Sequence, residues 1–161
     1  MSTLSKFVIL ISIAFFSCTK DVGQLPGPRF TDMGFLDSIN KSSSFYWYKN
    51  DSNAVYSGVH GPHGPFKLRF NAIANAALTD NGKLPQGKVM PSGSLVIKEL
   101  ENASQSAVTF YYMYKYQQGW LWGRIKSSGQ VEFSIFSNAS NCVNCHQQSG
   151  NRDLVTAFHF Y

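Results

Sequence analysis

Near its C-terminal end the chain reads Cys142-Val143-Asn144-Cys145-His146, and no other stretch restricts the fold so sharply. At this spacing two thiols can add across the two vinyl groups of one haem, while the next side chain brings an imidazole nitrogen to the iron. His146 is the expected axial ligand, with Cys142 and Cys145 the covalent anchors. A chain built this way must enclose a flat, largely apolar group. Two other chemistries use paired cysteines. A structural zinc site needs a second pair of ligands, and beyond Cys18 only histidines such as His60 and His63 are at hand. A redox dithiol of thioredoxin type follows a strand in a βαβ unit, and that pattern is missing here.

The 161 residues suffice for one domain with a real core. Only 14% are charged, against roughly 25% in ordinary soluble domains, and 15% are aromatic. Such a composition can wall a porphyrin. The net charge of +5 comes from lysines scattered along the chain. With no basic stripe interleaved with aromatics, nucleic-acid binding is excluded as a reading. A mildly basic surface suits an acidic electron-transfer partner or an anionic membrane.

Cys18 is explained by the N-terminus. Lys6 precedes an apolar run, Phe7 to Phe16, which ends in Ser17-Cys18. A positive start, a short apolar core and a small residue at the cut make a secretory signal over residues 1–17. The run is short for a membrane-spanning helix. A small residue directly before cysteine is similar to a bacterial lipobox, although Phe15 and Phe16 depart from its usual residues. The expectation is cleavage before Cys18, acylation of that residue and stable anchoring to the bacterial cell envelope, facing the periplasm or the cell surface. Residues 18–29, with Gly23, Pro26, Gly27 and Pro28, then form a tether. Residues 30–161 are the domain.

Within the domain, residues 30–41 suit a short helix with Phe35, Leu36 and Ile39 inward. Residues 44–48 and 66–71 are strand-like, and 72–78 form an alanine-rich helical turn. Gly61-Pro62-His63-Gly64-Pro65 is a stiff loop. Four strands follow, at 94–100, 108–116, 120–125 and 131–136, joined by short turns after the second and third. Such connections imply an antiparallel meander. The expected class is therefore mainly β (α+β), an antiparallel sheet with minor helices packing one covalent haem.

The strand at 94–100 carries an anomaly. Alternation sets Leu95, Ile97 and Glu99 on one face and Val96, Lys98 and Leu100 on the other. Whichever face turns inward takes a charge with it. A buried lysine tends to lose its proton and become a nucleophile; the simpler alternative is an edge lysine reaching out to water.

Gly82-Lys83-Leu84-Pro85, then Pro91-Ser92-Gly93-Ser94-Leu95-Val96-Ile97-Lys98-Glu99-Leu100, Gly119-Trp120-Leu121-Trp122 and the late Cys142–His146 motif followed by Arg152-Asp153 occur in this order. From about Phe66 onward the chain resembles the cytochrome P-460 family, which includes the cytochromes c′-β. The resemblance implies a haem packed on an antiparallel sheet, five-coordinate iron and an open side for a small gaseous or nitrogen-oxide ligand. It implies that Lys98 matches the lysine bonded to the porphyrin edge in cytochromes P-460, and that Arg69 matches a distal-pocket arginine. Those enzymes oxidise hydroxylamine, whereas the c′-β members lack the cross-link and bind nitric oxide. The expected partners are that ligand, an electron-transfer protein and the membrane, with a homodimer also compatible.

His60 or His63 as a sixth ligand would instead make an electron carrier, although a loop histidine with structural bonds is the simpler reading. Met90 and Met113 are further candidate ligands, Met113 more simply core. His159, between Phe158 and Phe160, is read as packing. Between Phe133 and Asn151 there is no carboxylate, and Glu132 and Glu99 are the nearest, so the sequence offers no general base.

Overall fold

The computed structural model describes residues 30–58, 63–102, 106–148 and 150–161. Cys18, the signal segment, the tether and His60 lie outside them. Six strands form one antiparallel sheet: β1 Phe45–Trp47, β2 Phe66–Asn71, β3 Leu95–Glu101, β4 Ala107–Tyr116, β5 Gly119–Lys126 and β6 Val131–Phe133. Their spatial order is the order of the chain, the topology that short turns between neighbours produce. The described part of the chain is thus mainly β with a few short helices, as its pattern predicts.

Both faces of the sheet are covered. On one lies α1, Asp32–Asn40, started by Thr31, whose Oγ1 accepts from the Gly34 amide at 3.0 Å. It lays Phe35, Leu36 and Ile39 on Leu95, Ile97, Phe110, Tyr112 and Ile125. The other face is covered by α2 (Ala72–Ala76), the 82–93 loop, α3 (Ser140–His146) and the C-terminal segment ending in α4 (Ala157–Phe160). Met90, Val155 and Phe158 pack there against Leu68, Phe70, Val96 and Met113.

One strand departs from its predicted boundary. β6 ends at Phe133, not Phe136, because Ser134 Oγ and the Ile135 amide turn away from the sheet to donate to the Asp32 carboxylate, at 2.7 and 3.0 Å. The Tyr112 hydroxyl donates to the same carboxylate at 2.7 Å. Its ring crosses the backbone of its partner Gly123, where a Cβ would come within 2.1 Å of it. Glycine is required at that position in β5 because a ring occupies the space.

Candidate functional site

Alternation along the strands decides what faces the second side of the sheet. Phe66 and Leu68 from β2, Val96 and Lys98 from β3, Tyr111 and Met113 from β4, and Trp122 and Arg124 from β5 all line one cavity of about 380 Å³. Its opposite wall is α3 and the C-terminal segment. In α3, Cys142, Cys145 and His146 stand at i, i+3 and i+4, which places them on one side of the helix, and all three line the cavity. Both cysteines are free thiols and partly buried. Burial raises the Cys142 thiol above its ordinary value, against opposing help from its own backbone bond and from Arg124.

His146 is held on two sides. Its Nδ1 lies 2.7 Å from the Leu154 carbonyl, and its ring meets Trp122 edge-on at 4.7 Å between centroids. A carbonyl can only accept, so Nδ1 carries the proton and donates. Nε2 is left with its lone pair, the form in which imidazole binds a metal. Burial, and less strongly Lys98, hold the ring below its ordinary pKa while the carbonyl bond opposes them.

Lys98 and Glu99 resolve the anomaly of β3, because both faces are covered. Lys98 turns into the cavity, its Nζ 3.9 Å from the centre of the Phe66 ring. Burial pushes the amine down to about 8, with Cys145 acting in the opposite sense. Glu99 turns to the α1 face and pairs there with Arg69. This corrects the placement of Arg69. Leu68 and Arg69 are neighbours on one strand, so a cavity-facing Leu68 sends Arg69 to the other side. There it donates to the Ile39 carbonyl at 3.1 Å and lies over Phe45.

The arginine in the cavity is Arg124. Its Nη1 donates to Tyr111 Oη at 3.2 Å, and its Nε pairs with Glu132 at 3.1 Å. The signal was present in β5, since Trp122 and Arg124 share a parity. His63 also lines the cavity, edge-on to Tyr111 at 4.4 Å. Burial, then Lys98, His146 and Arg124, push it down to about 4, so it is neutral near pH 7. Met113 lines the cavity, while Met90 is buried beneath the C-terminal segment. No carboxylate lines the cavity among the described residues.

These donors suit a group bonded twice through sulfur and once through nitrogen. Among the described residues no cluster of three or more His, Cys, Asp and Glu side chains could cage an ion, so the zinc alternative gains no partner from His63. Neither a protein-family model, nor a curated protein, nor a solved structure matches the chain.

Proposed function

We propose that this chain is an exported, lipid-anchored mono-haem c-type cytochrome similar to the P-460 family, which binds or oxidises a small nitrogen compound such as hydroxylamine or nitric oxide. One observation carries the reading: Cys142, Cys145 and the Nε2-free imidazole of His146 face a single aromatic-walled cavity from one helix. The two thiols would hold the haem covalently and His146 would ligate its iron. When bound, the haem supplies a redox-active iron able to take a small ligand and pass electrons to a partner.

The remaining residues define what the chain itself contributes. Phe66, Met113, Trp122 and Phe133 exclude water from most of the wall. Tyr111 accepts from Arg124 and keeps its own hydroxyl proton to donate, and Arg124 brings positive charge to the rim. With no carboxylate in the lining among the described residues, proton removal falls to the neutral imidazole of His63, while the Lys98 amine, lowered only to about 8, becomes an acceptor as pH rises past that value. That amine is also the group which the resemblance assigns to a bond with the porphyrin edge. Arg69 has no part in the pocket, and Arg124 takes the role expected of it.

Production of the full chain in a host that matures c-type cytochromes tests the reading. The expected product is coloured, with haem on the Cys142–His146 peptide after digestion. A colourless chain overturns it. Joined Lys98 and haem peptides mark the hydroxylamine-oxidising branch, and separate peptides mark nitric oxide binding without catalysis. A second reading is favoured by His63 facing the same cavity as His146: a six-coordinate electron-transfer cytochrome. A low-spin ferric spectrum that becomes high-spin in His63→Ala selects it; a high-spin spectrum in the unsubstituted protein discards it.

A further inference from the structure

Asp153 and Leu154 are consecutive non-glycine residues with left-handed backbones, φ 47° and 65°. A leucine in that region presses its Cβ against the backbone, and such residues persist where their surroundings impose them. The surroundings here are specific. Both carboxylate oxygens of Asp153 accept from Lys115 Nζ at 3.0 Å, and one also accepts from the Met90 amide at 2.7 Å. Lys115 is 3% exposed and lies over the Trp120 ring. The preceding residue, Arg152, pairs with Asp80 and donates to the Leu84 carbonyl at 2.6 Å. It also closes an antiparallel bridge with Val155 across the turn. Asn151 ties the same loop to the end of α3 by donating to the His146 carbonyl at 2.8 Å.

The turn held this way delivers one group, the Leu154 carbonyl that receives the His146 Nδ1 proton. Neither Lys115 nor Asp153 lines the cavity. The ion pair therefore acts at a distance, through backbone conformation. We propose that the buried Lys115–Asp153 pair is a positioning device: it holds the left-handed turn that aims the Leu154 carbonyl, and so sets the tautomer and ring orientation of His146. Removing such an outer partner costs a metal site about 10–100-fold in affinity or activity. For iron ligation the inference rests on the cytochrome reading; for the tautomer it stands without haem.

The first measurement is made on the full chain produced without haem, by nitrogen-15 NMR of the His146 ring. The expected state is Nδ1-protonated, and a ring carrying its proton on Nε2 overturns the proposal at once. The pair is then removed without stranding either charge, as Lys115→Met with Asp153→Asn. The expected result is a mixture of tautomers, with the Nε2-protonated form rising several-fold. Ile39→Val, a substitution on the other face of the sheet, should leave the tautomer unchanged. Equal movement in both variants overturns a positioning role. Leu154→Gly, added to the double variant, restores the Nδ1-protonated form because glycine adopts positive φ unaided. This triple variant is the decisive one if the double variant folds poorly, and a ring that stays mixed in it overturns the proposal. In haem-loaded protein the iron–imidazole stretching band should move to lower frequency in the double variant. A chain with the expected tautomer that takes up no haem ends the cytochrome reading and leaves this one standing.

Discussion

The two faces of the sheet are cut from the same strands and differ in one buried charge. Each holds a buried ion pair, Arg69–Glu99 on the α1 face and Lys115–Asp153 on the other. Only the second turns a lysine, Lys98, into a cavity with no carboxylate beside it among the described residues. On the α1 face charge is neutralised where it is buried. Arg69 is 6% exposed and paired with Glu99, which is equally buried, and Asp32 receives three hydrogen bonds. On the other face the same alternation presents Lys98 and Arg124, and the loop before β2 presents His63, to a hollow lined by no carboxylate among the described residues. Arg124 reaches Glu132, which leaves Lys98 as the cation without a carboxylate at hand. An uncompensated cation in an apolar wall weakens a fold. The closed face thus serves stability, while the open face keeps charge and polarity pointed at something that is not part of the chain.

Breaking the closed face should have the largest effect. Glu99→Ala leaves the Arg69 guanidinium buried with only the Ile39 carbonyl and two rings beside it. The expected loss is about 3–5 kcal/mol, read from urea unfolding. Replacing both partners together, as Arg69→Met with Glu99→Leu, should cost far less, because no charge is stranded. Ligand binding should be unchanged in that double variant. An altered affinity would mean that Arg69 reaches the cavity after all.

The open face should respond with the opposite sign. The Lys98 amine is held near 8 in the folded chain, against 10.5 when unperturbed. As pH falls through that interval the unfolded chain takes the proton first, so folding stability declines from about pH 10.5 to pH 8 and is flat with respect to Lys98 below. Lys98→Met lacks that loss. At pH 7 the haem-free variant should be more stable than the parent by about 1–2 kcal/mol, a figure reduced for the partial exposure of the amine. Its stability should also fall less between pH 10 and 8. A destabilised Lys98→Met would show that the amine is compensated in the folded chain, and the contrast between the faces would collapse.

How far these features could be read from sequence depends on their range. The meander was legible because alternation and short turns are local, and α1 because Phe35, Leu36 and Ile39 form an apolar stripe at helical spacing. The motif at 142–146 was legible through spacing alone, and helical geometry then puts its three side chains on one side. The assignment of Arg69 failed for a physical reason: parity fixes which residues share a face but not which face looks at the cavity, and that was set by where α1 and the C-terminal segment dock. Arg124 was missed on the same account, although Trp122 beside it shared its parity. The Leu154 carbonyl was out of reach. Its position depends on a left-handed turn clamped by Lys115, Met90, Asp80 and Leu84, all remote in sequence, and no residue type marks a backbone oxygen as functional.

The smallest expected effect belongs to Tyr111, where the two uses of a polar group can be separated. Its hydroxyl accepts from Arg124 while its ring supports His63. Tyr111→Phe keeps the ring and removes the acceptor, and Arg124 retains Glu132 at the rim. Because the arginine is partly exposed, the expected stability loss is at the low end for a hydrogen bond, about 0.5–1 kcal/mol. If the hydroxyl proton is directed at a ligand in the cavity, nitric oxide should dissociate from the haem-loaded variant about three- to tenfold faster, the kinetic image of one lost hydrogen bond. Unchanged dissociation with the same loss of stability would confine the hydroxyl to holding Arg124, and the open face would then rely on His63 and Lys98 alone for its chemistry.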